Sequence, residues 1–288
     1  MDHTRPIGQG RMFILSFVVT FLVMGFMVVF LLLRLYVPSA QPAPVLPQQQ
    51  NAVYLPSAQE RLTLLLAVEG QTPGSDTFLL AGFFPDIGYM PLMALPRQLA
   101  VGETTLQQLY RTEGISQTAQ SLARQYQIGI DRVAAAPGAS FSGLWDRMGS
   151  VDFRLPLRLE DQNGQLVLAA GLHQFDGQKA LGVMNAPLWP EGECQRCGTV
   201  AALMAQAVNH HLPLVLGDRA EGIFKTAVNG CTFTDLSSLD YEQYLPAARF
   251  MARLEVSPAQ PLELSGSYGA AGSFVPDQSG LELLRNTF

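Results

Sequence analysis

Leu62-Thr63-Leu64-Leu65-Leu66-Ala67-Val68-Glu69-Gly70-Gln71-Thr72-Pro73-Gly74-Ser75-Asp76-Thr77-Phe78-Leu79-Leu80-Ala81 is the stretch that decides the fold. It opens on an apolar run, Leu62 to Val68, broken only by Thr63. After a loop with Gly and Pro, the triplet Ser75-Asp76-Thr77 leads into a second run, Phe78 to Ala81. A third run, Met90 to Leu95, ends at Pro96-Arg97. Short apolar runs bounded by Gly and Pro read as buried strands. An acid and a base, Asp76 and Arg97, are therefore expected at neighbouring strand ends, where α/β sheets usually hold ligands.

Beyond these strands, Leu106, Leu109 and Tyr110 recur at helical spacing until Gly114, which reads as a stop. Ile115, Ala119, Leu122, Ala123 and Tyr126 continue the pattern in a second helix. Val151 to Leu159 alternates as a half-buried strand, Asn163-Gly164 is a hairpin turn, and Gln165 to Ala169 is the return strand. Val200, Leu203, Met204, Ala207, Val208 and His211 share one helical face. A helix starting at Ser238 is expected to break near Pro246, with short tail strands at Arg253 to Val256 and Leu262 to Leu264. Strands and helices interleave, which predicts a layered α/β/α domain with a central mixed sheet.

The chain has 288 residues, of which 15% are charged and 48% hydrophobic. That balance excludes a disordered tail and a nucleic-acid binder. Phe13 to Leu33 is uncharged and, at about 1.5 Å per residue, matches the roughly 30 Å of a bilayer core. A signal peptide is the rival reading, but its apolar region spans only about 7–15 residues, and Val37-Pro38-Ser39-Ala40 is a poor cleavage site. Arg5 and Arg11 precede the run and only Arg34 follows before Arg61. The expectation is a cytoplasmic N-terminus over 1–12, a single transmembrane helix over 13–36 and an extracytoplasmic domain over 59–288. Between them, 37–58 carries Pro38, Pro42, Pro44, Pro47 and Pro56 and reads as a semi-rigid stalk.

The motifs together resemble the LytR–CpsA–Psr proteins, the cell-envelope-related transcriptional attenuator domain. The resemblance rests on the Ser75-Asp76-Thr77 and Pro96-Arg97 strand ends, Ile128-Gly129-Ile130-Asp131-Arg132 and Phe141 to Val151. It continues through Gly171 to Leu181, which contains Phe175-Asp176-Gly177-Gln178-Lys179-Ala180-Leu181, and Leu236-Ser237-Ser238-Leu239-Asp240. It covers about residues 60 to 255. It implies an envelope protein that handles a glycopolymer on a polyprenyl pyrophosphate carrier, with peptidoglycan, or in some members a protein, as acceptor. By the same resemblance Asp76 and Arg97 are site residues, Arg196 matches a helix-opening arginine with Glu193 as the acid before it, and Asp76 with Glu69 would hold Mg²⁺ if the chain is active. The resemblance also implies a lipid pocket, for which Phe83, Phe84, Leu122, Trp145 and Leu203 are candidate walls. Ordinary core packing explains those five equally well.

Several charged positions of the family differ here, most of them neutral, with Glu69 a candidate substitute for the loop aspartate. Glu69-Gly70 stands where the family has an aspartate loop, Gly74 where it has an arginine, and Gln98 where it has an aspartate. Gly182-Val183-Met184-Asn185 stands where it has a pair of arginines. One lost electrostatic group costs about 2.7–4 kcal/mol in rate, against the roughly 8–23 kcal/mol that enzymes supply. These departures favour a non-catalytic or weakly active protein that binds the lipid-linked glycopolymer or envelope partners. An active phosphotransferase is the alternative. Cys194-x-x-Cys197 lacks the second pair of a zinc site, and outside the membrane a disulfide joining two of Cys194, Cys197 and Cys231 is expected.

Overall fold

The computed structural model describes residues 54–288 other than 73, 162, 270 and 271. The predicted cytoplasmic stretch, membrane span and most of the stalk lie outside the described residues. Among the described residues no helix is long and apolar enough to cross a membrane.

The three apolar runs form β1 (Leu62–Glu69), β2 (Thr77–Phe83) and β3 (Met90–Leu95), each antiparallel to the next. The short pair β4 (Ala100–Val101) and β5 (Thr104–Thr105) leads into α1 (Leu106–Tyr126). Next, β6 (Arg132–Pro137) adds parallel to β1, and α2 (Gly138–Met148) follows. The strand expected over 151–159 splits: β7 (Val151–Leu155) pairs with Gly171–Phe175, while only β8 (Leu159–Glu160) and β9 (Leu166–Leu168) form the hairpin across Asn163-Gly164. After β10 (Gly171–Phe175) come α3 (Gly177–Asn185), α4 (Glu193–His211) and α5 (Ala220–Asn229). The edge strand β11 (Phe233–Thr234), helix α6 (Ser238–Met251) and β12 (Ala259–Leu262) precede the pair β13 (Gly266–Tyr268) and β14 (Phe274–Pro276). Helix α7 (Gln278–Thr287) closes the chain. The main sheet is mixed, in the order β11-β6-β1-β2-β3-β12.

Alternation along the strands sends side chains to two faces. Leu65, Ala67, Phe78, Leu80, Met93 and Leu95 turn toward α1 and α7. Val68, Leu79, Leu92 and Ala94 turn the other way, toward α2, α3 and α4. With both faces covered, the central strands read as unbroken apolar runs, which is why the sequence announced them so clearly. The layered α/β/α arrangement with a central mixed sheet is the one expected.

One further local expectation holds and three change. As expected, Gly114 ends the first helical segment: at φ 77 and ψ 175 it is non-helical, and a second segment continues along α1 from Ile115. That backbone region is essentially reserved for glycine. Pro246 does not break α6, because Ala247 and Met251 beyond it are buried and hold the last turns in place. Residues 253–256 form turns rather than a strand, and the chain pairs again only from Ala259, parallel to β3. No disulfide forms: Cys194, Cys197 and Cys231 are all free. Cys194 is exposed and Cys197 buried on α4, while Cys231 lies beyond α5.

Candidate functional site

The carboxyl ends of β1 and β6 meet the start of β2 and the end of β3 at one edge of the sheet. The loop from β1 to β2 closes so tightly that a Cβ on Gly70 would stand 1.9 Å from the Ser75 hydroxyl. This closure brings the Gly70 amide to the Asp76 carboxylate at 2.9 Å. Asp76 is fully buried and accepts from three further donors. Nε of Arg111 donates to Oδ2 at 2.5 Å, Nη2 of Arg111 donates to Oδ1 at 2.5 Å, and the Gln107 amide donates to Oδ2. Gln107 and Arg111 stand one turn apart on the first arm of α1, so they share a face.

Arg97 turns away from that carboxylate. Its Nε donates to the backbone oxygen of Asp76 at 2.8 Å, and its Nη2 to those of Ser75 at 3.2 Å and Met184 at 3.0 Å. Its Nη1 lies 3.6 Å from Glu193, whose carboxylate also accepts the Arg97 backbone amide at 3.0 Å. Burial, with the charge of Arg196 adding to it, lowers Arg97 to about 10, which leaves it cationic at neutral pH. Arg196 is wholly buried in the first turn of α4. It binds Glu193 through Nε at 2.8 Å and Nη2 at 2.5 Å, and reaches the Thr77 hydroxyl and the Met184 oxygen at 3.2 Å each. Burial works to raise the Glu193 carboxyl, but its hydrogen bonds and charge pairing with Arg196 and Arg97 hold it below the usual range. Met184 lies in the last turn of α3, where carbonyls lack helical partners and the dipole favours cations. Two arginines and Thr77 satisfy that one carbonyl.

Asp76, Arg97, Arg196 and Glu193, all singled out from the sequence, are thus brought together. Glu69 stands beside them, accepting from the Tyr110 hydroxyl at 2.8 Å and the Thr232 hydroxyl at 3.3 Å. Burial and this hydrogen bond to Glu69 push the Tyr110 phenol upward. The sequence reading missed Arg111 and Gln107. Their signal was a polar pair at helical spacing, which on its own looks like any solvated helix face.

The expected Mg²⁺ does not fit this arrangement. A carboxylate offers about four lone-pair sites, and four donors already occupy Asp76. A magnesium ion also demands near-octahedral oxygen ligands and keeps several waters, for which a fully buried carboxylate has no room. Among the described residues no group of three or more His, Cys, Asp or Glu is placed to hold a metal ion.

An apolar cavity of about 370 Å³ lies on the α2–α4 face, with Leu66, Phe141, Trp145, Met204 and Val208 in its walls. Of the five predicted walls only Trp145 lines it. Leu122 packs on the opposite face of the sheet, Leu203 is solid core, Phe83 packs edge-on against Tyr244, and Phe84 stacks near Tyr89. The strand and helix periodicities made these residues apolar without fixing which layer each entered. None of Asp76, Arg97, Arg111 or Arg196 lines the cavity, so the two predicted groups do not face each other across its mouth. The polar cluster and the cavity adjoin at Glu69, because Thr232, which binds it, follows the wall residue Cys231.

No protein-family model matches the chain, and no curated protein matches its sequence. Solved structures do match. A provisional transcription regulator from Eubacterium siraeum aligns at 13% identity with a TM-score of 0.73, over 83% of this chain and 95% of that one. Bacillus subtilis TagV aligns at 18% identity and 0.60, over 79% and 95%. TagT bound to LIIa-WTA aligns at 16% identity and 0.59, over 82% and 92%. At such identities the likeness is one of fold. TagV and TagT are LytR–CpsA–Psr proteins, so the fold implied by the motifs is the fold observed.

Proposed function

We propose that the chain is a membrane-anchored, extracytoplasmic protein of a bacterial cell envelope. In this reading it binds a polyprenyl-(pyro)phosphate-linked glycopolymer, and transfers it to peptidoglycan weakly or not at all. The anchor is supported by the uncharged run Phe13 to Leu33 and its flanking arginines. The ligand class is supported by the fold shared with a TagT that has been solved bound to LIIa-WTA, and by the apolar cavity beside the polar cluster.

One observation carries the weak or absent catalysis: the two buried arginines, Arg97 and Arg196, are already spent on partners inside the protein. Arg97 and Arg196 both pair with Glu193 and turn their remaining donors to buried protein oxygens. For Arg97 to clamp a pyrophosphate it would abandon three buried carbonyls, at about 1–3 kcal/mol each. Each charged hydrogen bond of a two-pronged clamp returns only about 1.5–3 kcal/mol, so the exchange gains nothing beyond what the three carbonyls already give. Arg97 therefore stays where it is. Electrostatic catalysis of phosphoryl transfer needs cations already aimed at the phosphates.

The test is to incubate the full chain with a polyprenyl-pyrophosphate-linked disaccharide, peptidoglycan and Mg²⁺. Saturable binding without glycan transfer is expected. Transfer that disappears in Arg97→Ala would establish the active phosphotransferase instead.

A further inference from the structure

Asp76 holds a cation already, and that cation has an open side. Two of its four hydrogen bonds come from the planar fork of Arg111, at 2.5 Å each. The Arg111 side chain is 45% exposed, and its Nη1 has no hydrogen-bond partner among the described residues. The carboxylate beneath it has no exposed surface. Gln107 on the same helix face and the Gly70 amide fix that carboxylate from the remaining directions.

A divalent cation bound by a protein acid serves a phosphate by presenting positive charge while the acid holds it in place. Arg111 meets both requirements. It is pinned by Asp76 on one edge and open on the other, and a guanidinium, unlike an ammonium, keeps further donors in a fixed plane once two are used. The geometry points to Arg111 as a built-in replacement for the divalent cation, so that a lipid ending in phosphate or pyrophosphate is bound through its free edge without metal. This rests on the lipid-binding reading above.

The experiment measures binding of farnesyl pyrophosphate to the full chain in mild detergent, in excess EDTA and again in millimolar Mg²⁺. Farnesol and inorganic pyrophosphate serve as separate probes of tail and head. The two dissociation constants for farnesyl pyrophosphate are expected to agree within about twofold. Arg111→Met is expected to weaken binding roughly ten- to a hundredfold, with Arg111→Lys between it and the parent. Farnesol and inorganic pyrophosphate should each bind more weakly than the intact ligand. A tenfold or greater tightening by Mg²⁺ in the unaltered chain overturns the inference while leaving lipid binding intact, and needs no variant to fold. Unchanged binding in Arg111→Met also overturns it. Inorganic pyrophosphate binding as tightly as the lipid would make this an anion site with no lipid role. If farnesyl pyrophosphate fails to bind under either condition, the functional reading itself falls, and the inference with it.

Discussion

Glu193 is one acid serving two buried guanidiniums. It sits in the first turn of α4, where the helix dipole favours a negative charge, and both of its oxygens are engaged. Replacing one member of a buried ion pair leaves its partner uncompensated, which costs roughly 3–5 kcal/mol. Glu193→Gln is therefore expected to lower stability by about that amount, read as a shifted urea midpoint with unchanged slope. The same residue shapes acid sensitivity. Its folded carboxyl is held below its unfolded value near 4.5, so the stabilisation it provides is fully present above that pH. It is lost as pH falls through the lower folded value, because the unfolded chain then binds the proton more readily. The variant's urea midpoint should accordingly fall less steeply below pH 4.5 than the parent's. Equal steepness in both would show that Glu193 is not the pairing group.

Helix α1 carries two duties on two arms joined at Gly114. The first arm presents Gln107, Tyr110 and Arg111 to the polar cluster. The second buries Ile115, Ala119, Leu122 and Tyr126 under the sheet. In a regular helix, glycine to alanine stabilises by about 0.5–1 kcal/mol. At φ 77 and ψ 175 the sign reverses, because a Cβ is strained there even though open space surrounds it. Gly114→Ala is expected to destabilise by about 1–3 kcal/mol in chemical unfolding. A stabilising result would mean that α1 is straight. The same helix shows what the sequence could reveal. Its arms were visible from apolar spacing and its boundary from the glycine, as were the three central strands, which are apolar on both faces. Elements whose order depends on distant partners were hidden. Helix α7 is amphipathic and capped by Asp277, yet no part of the sequence reading reached it, and α6 passes a proline only because burial beyond it compensates. Arg97 and Arg196 were legible because short motifs mark them. Arg111 was not, since its meaning comes wholly from a carboxylate 35 residues earlier in the chain.

Across the molecule, α4 connects the two halves of the candidate site. Arg196 and Glu193 lie in its first turn, and Met204, Val208 and His211 line the cavity toward its end. From Arg196 to Met204 is about 12 Å along the axis, at roughly 1.5 Å per residue. The intervening Cys197, Val200 and Ala201 are buried core, so the helix gives a ligand no open channel along this face. The cavity and the polar cluster adjoin where Thr232, next to the wall residue Cys231, binds Glu69, so a tail in the cavity would approach the cluster there. Tail and head should therefore be separable by mutation. Val208→Trp puts an indole into the cavity from a half-buried helix position, and overpacking of this kind costs about 1–3 kcal/mol. It leaves Asp76, Arg97, Arg111 and Arg196 untouched. The expected outcome is a loss of farnesyl pyrophosphate affinity of roughly tenfold or more, with binding of inorganic pyrophosphate unchanged. Equal affinity for the farnesyl ligand in parent and variant, measured calorimetrically on chains with matching unfolding profiles, would place the tail elsewhere and leave the cavity as a packing defect.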